Sequence, residues 1–84
     1  MVETMGTLAQ IVLERMPQCQ ERGMVSGDGK FAILCCKESS GLRRVRKFAT
    51  AIERDRAFNR MEQPGATCPT WEKCTGDHLK LELP

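Results

Sequence analysis

Cys68, Cys74 and His78 stand close together in the run Cys-Pro-Thr-Trp-Glu-Lys-Cys-Thr-Gly-Asp-His at 68–78. Two thiolates and an imidazole are three of the four ligands that tetrahedral zinc takes, and Cys19, Cys35 or Cys36 is available as the fourth. Against a metal, five residues separate Cys68 from Cys74, more than zinc motifs use, and there is no second Cys-x-x-Cys. The plainer reading makes Cys68 and Cys74 small buried hydrophobes that anchor a loop, with His78 at the surface where a strand begins. A Cys68–Cys74 disulfide is a third reading. On this balance no metal and no cofactor is expected.

The remaining chemistry-bearing residues point away from catalysis. Adjacent residues on a strand project to opposite faces, so Cys35 and Cys36 diverge and read as core packing rather than a redox pair. The five cysteines are an odd number, which argues against a closed disulfide framework and fits a reducing compartment. His78 is the only histidine, and no motif sets a Ser, Cys or carboxylate beside it as a catalytic partner. Gly27-Asp28-Gly29 resembles neither a P-loop nor a dinucleotide fingerprint and reads as a turn. The expectation is a protein that is not an enzyme.

The strongest functional signal is charge. Positions 42–62 hold seven basic and three acidic residues, whereas the whole chain is only +2. At helical spacing Leu42, Val45, Phe48, Ala49 and Ile52 share one side, and Arg43, Arg46, Lys47 and Arg54 the other. This predicts a basic amphipathic helix over 42–60, capped by Ser39 or Ser40 and ended by Pro64-Gly65. The pattern fails in its second half: Arg56 and Asn59 fall on the apolar stripe, and Phe58 and Met61 fall off it. Either the helix bends near Asp55 or a second apolar neighbour covers that half.

Such a stripe suits phosphate groups, through bidentate arginine hydrogen bonds and counterion release, although a simply solvated face has the same pattern. The leading expectation is an accessory or regulatory protein that binds a macromolecule through Arg43, Arg46, Lys47 and Arg54, with nucleic acid as one partner class. The alternative is a small inhibitor of the kind phages and plasmids encode. It would dock on an acidic surface of a host protein complex, with Phe58, Met61 and Trp71 as apolar anchors. Trp71 also reads as a lid over the core. A third reading is a zinc-stapled structural subunit.

These residues need elements to position them. Eighty-four residues make a single small domain, 1–84, whose core must come from aliphatics, Met and Cys because only four aromatics are present. A frayed lead-in over 1–6 precedes a helix from Thr7 to about Met16, with Leu8, Ile11, Val12 and Met16 at helical spacing and Pro17 stopping it. Positions 20–37 read as a hairpin about Gly27–Gly29. Its second strand, 30–37, is apolar on both faces and therefore central. A long structured loop, 63–77, leads to 78–83, where Leu79, Leu81 and Leu83 alternate as on an edge strand. The expected fold class is α+β in the order α-β-β-α-β, with an antiparallel three-stranded sheet and the helices packed on one face. The apolar run Leu8–Leu13 is too short for a signal peptide or a membrane span, so the expected location is cytoplasmic, with no membrane.

Overall fold

A computed structural model describes residues 7–19, 23–37 and 41–83. The order is α1 (Thr7–Arg15), β1 (Gly23–Ser26), β2 (Phe31–Lys37), β3 (Leu42–Phe48), α2 (Ala51–Met61) and β4 (Asp77–Glu82). The strands form one mixed sheet in the order β1-β3-β2-β4. This is an α+β domain as expected, but with four strands, not three. The expected lead-in over 1–6 and the Ser39 and Ser40 caps lie outside the described residues.

β2 is the central strand that its two apolar faces require. It pairs antiparallel with β3 on one side and with β4 on the other. Ala32, Ile33, Leu34, Cys35 and Cys36 are all buried. Ala32, Leu34 and Cys36 join Val12, Met16, Cys19, Val45 and Leu81 in a first core cluster, edged by Leu8, Ile11, Leu79 and Leu83. Ile33 and Cys35 join Cys68 in a second, edged by Ala57, Phe58, Met61, Trp71 and Cys74. α1 therefore packs on one face and α2 on the other. The expected one-face arrangement is corrected, because a strand apolar on both faces needs a cover on each.

The predicted helix over 42–60 is two elements. Residues 42–48 form β3, and the helix begins only at Ala51. Over seven residues the spacing Leu42, Val45, Phe48 imitates a helical stripe, whereas the observed period is two, with Val45 buried and Arg46 exposed. The boundary is Thr50, in extended conformation, whose hydroxyl accepts from the Glu53 N–H at 3.2 Å. Thr50 and Glu53 have the spacing of a capping box, a start signal inside the supposed helix. With the true register, Ala49 and Ile52 are exposed rather than core.

The hairpin at 20–37 is also corrected. β1 pairs with β3, in parallel, and not with β2. Both edges of β2 are already taken, so the chain from β1 crosses the end of β3 to reach it. Gly27 (φ +81°) and Gly29 (φ +115°) make the crossing possible: a Cβ there would lie 2.6 Å from the Lys47 carbonyl oxygen and 2.1 Å from that of Phe48. No helix among the described residues is long and apolar enough to cross a membrane.

Candidate metal centre and basic groove

On the face that carries α2, antiparallel pairing sets Cys35 of β2 directly opposite His78 of β4, and directly paired side chains share a face as close neighbours. The loop between α2 and β4 brings Cys68 over both. The Cys35 and Cys68 Sγ atoms are 3.1 Å apart. Ligand atoms of Cys35, Cys68 and His78 all lie within 4.8 Å of one another. Cys74 packs against the same cluster. The Trp71 N–H donates to Cys68 Sγ at 3.4 Å and the Gly76 N–H to Cys74 Sγ at 3.3 Å.

Backbone geometry holds this loop in place. Cys74 N–H bonds the Trp71 carbonyl at 3.3 Å, closing a turn in which Lys73 adopts φ +56°. A Cβ on Gly76 would lie 1.8 Å from the Cys36 carbonyl oxygen, so only glycine lets the chain pass this close to β2 between Cys74 and His78. Lys37 and Arg44 hold their charges 5.6 and 5.2 Å from the Trp71 ring centre.

Burial pushes the Cys35 thiol far above its ordinary range, opposed by Thr70 and reinforced by Cys68. Burial also raises Cys68, but hydrogen bonds from Thr70, Cys35 and the Trp71 and Thr70 backbone outweigh it and leave that thiol below its usual value. Cys74 is raised by burial, against the Gly76 N–H and the nearby Lys37. His78 is lowered by burial, against the pull of Glu62 and Asp77, which favours the neutral imidazole. Among the described residues nothing hydrogen-bonds to His78 Nε2, which is shut off from solvent.

Of the sequence candidates, Cys68 and His78 are brought together with Cys35, whereas Cys74 lies outside that group of three and packs against the cluster from its edge. Cys36 projects to the other face and is bonded to Cys19 in a disulfide, so those two are separate from the cluster. Cys68 and Cys74 are not bonded to each other; Cys35, Cys68 and Cys74 are free thiols. The odd number of cysteines is thus one disulfide and three thiols, and the expectation of no disulfide framework is revised by one bond.

The four cations Arg43, Arg46, Lys47 and Arg54 do not form one stripe, because they belong to two elements. Arg43 is buried at 7% exposure on the face opposite Arg46, and its Nε finds no partner among the described residues. Arg54 is 13% exposed and bonds the Leu81 carbonyl at 2.6 Å and Asp55 at 2.8 Å. Arg46 instead lines a groove with Arg56 and Arg60 of α2, beside Phe48 and with Asp28 and Glu53 as its acids; Lys47 borders the groove, but its position on β3 belongs to the opposite face, with Val45. Arg56 and Arg60 are one helical turn apart on α2. Phe58, Met61 and Trp71, candidate anchors in the sequence, are half-buried against the second cluster.

No protein-family model, curated protein or solved structure matches this chain.

Proposed function

We propose that the protein is a non-catalytic accessory factor that binds nucleic acid through the groove between the end of β3 and α2. The observation that carries this reading is the convergence of Arg46, Arg56 and Arg60 on one groove. The Arg56 and Arg60 side chains have no ion-pair or hydrogen-bond partner among the described residues, which leaves their donors for phosphate oxygens. The supporting surface differs from a single basic helix: β3 contributes Arg46, and α2 contributes Arg56 and Arg60. The alternative of an inhibitor docked on an acidic protein has less support, since Phe58, Met61 and Trp71 spend much of their surface on the core.

The test is fluorescence anisotropy with labelled single- and double-stranded oligonucleotides at several salt concentrations. Binding should be insensitive to base sequence and weaken steeply with salt. The variant Arg46→Gln/Arg56→Gln/Arg60→Gln should bind at least about tenfold more weakly, with a duplex salt slope shallower by about 0.9 for each phosphate that is no longer neutralised. No binding by the unaltered chain at about 50 mM salt, or equal binding by the variant, would overturn the proposal.

A further inference from the structure

We propose that Cys35, Cys68, Cys74 and His78 are the four ligands of a structural zinc ion that fastens the loop between α2 and β4 to the sheet. The inference is independent of the nucleic-acid groove. The ligands come from three places: β2, the loop, and the first residues of β4. With metal–sulfur bonds of about 2.3 Å, a tetrahedral site separates its sulfurs by roughly 3.8 Å. Cys35 and Cys68 at 3.1 Å, and the three ligand atoms within 4.8 Å of one another, bracket that spacing. Cys74 packs at the edge of this group, and rotation of its side chain toward Cys68 supplies the fourth position.

Two further observations point to a ligand rather than to packing. His78 Nε2 is a buried polar atom with no partner among the described residues, a cost that most buried polar groups avoid. The Trp71 and Gly76 N–H groups aim at Cys68 and Cys74 sulfur, where they would stabilise thiolate charge. On metal binding the three thiols release three protons to solvent, and the neutral imidazole gives its lone pair. Three thiolates and a divalent ion leave the site at −1, and Lys37 lies close enough to Cys74 to favour that charge. Zinc suits the donor set because it accepts mixed sulfur and nitrogen ligands in tetrahedral geometry and has no redox chemistry of its own. The Cys19–Cys36 pair lies on the other face and takes no part.

Zinc content of the full-length chain, purified without chelator, tests this, followed by replacement of the ion with cobalt(II). We expect one zinc per chain. Cobalt should give the intense visible absorption of a tetrahedral site and the ultraviolet charge-transfer band of cobalt–thiolate bonds. Cys74→Ser should weaken zinc binding at least about tenfold. His78→Cys should retain cobalt with a shifted spectrum, whereas His78→Ala should lose it, which separates ligation from folding. Cys19→Ser/Cys36→Ser should leave the spectrum unchanged. Three results would each overturn the proposal: no zinc and no cobalt spectrum from the unaltered chain with Cys35, Cys68 and Cys74 reduced; a spectrum that survives Cys74→Ser and His78→Ala; or a Cys35–Cys68 disulfide in the freshly isolated protein.

Discussion

Arg54 donates from Nη1 to the Leu81 carbonyl and from Nε to Asp55, and its guanidinium lies 5.6 Å from the Phe31 ring centre. It joins α2 to the edge strand and to β2, so it acts as a brace although its residue type suggests a binding group. Arg54→Gln should cost about 1.5–3 kcal/mol, the worth of hydrogen bonds made by a charged donor. Arg56→Gln, two positions along and exposed, should stay within about 0.5 kcal/mol. Urea denaturation of the two variants reads the difference, and equal costs would mean that the Arg54 contacts add nothing to stability. The sequence could not separate these two arginines, because burial of one depends on where β4 lies. His78 was visible as a candidate ligand, but Cys35 was only one of three choices for a fourth, since strand order alone sets it opposite His78.

Elements that satisfy one pattern only were legible. Val12 and Met16 mark α1, the two apolar faces mark β2, and Leu79 and Leu81 mark β4. β3 was not legible, because Leu42, Val45 and Phe48 stand at helical spacing, whereas in the strand Val45 faces the first cluster and Phe48 the second. The cap at Thr50 was the available discriminator. Thr50→Ala should cost about 1 kcal/mol by leaving the Glu53 N–H without its acceptor, and should lower helical circular dichroism more than sheet signal. A neutral result would mean that packing of Ala57, Phe58 and Met61 on the second cluster fixes where α2 starts. The pairing of β1 with β3 was equally hidden, because the adjacency of β1 and β2 in sequence favours a hairpin until both edges of β2 are seen to be occupied.

At the scale of the molecule, the sheet separates two half-cores with different fastenings. On one face the Cys19–Cys36 bond ties the segment after α1 to β2 across 17 residues of sequence. A closed loop of that length is worth about 3 kcal/mol. The variant Cys19→Ser/Cys36→Ser should lose about 2–4 kcal/mol in denaturant titration. A loss under about 1 kcal/mol would mean that Val12 and Met16 hold α1 without the covalent link. The sheet order has a consequence for synthesis as well. β2 finds β3 at once, across a short link, but its other partner is the last of the described elements to leave the ribosome. Until β4 emerges, the most apolar strand of the chain presents an unpaired row of amide and carbonyl groups. An open edge of that kind is a template for pairing with another nascent chain. The interval of greatest aggregation risk therefore runs from the emergence of β2 to the docking of Asp77–Glu82. It should lengthen whenever translation slows over α2 or the cysteine loop.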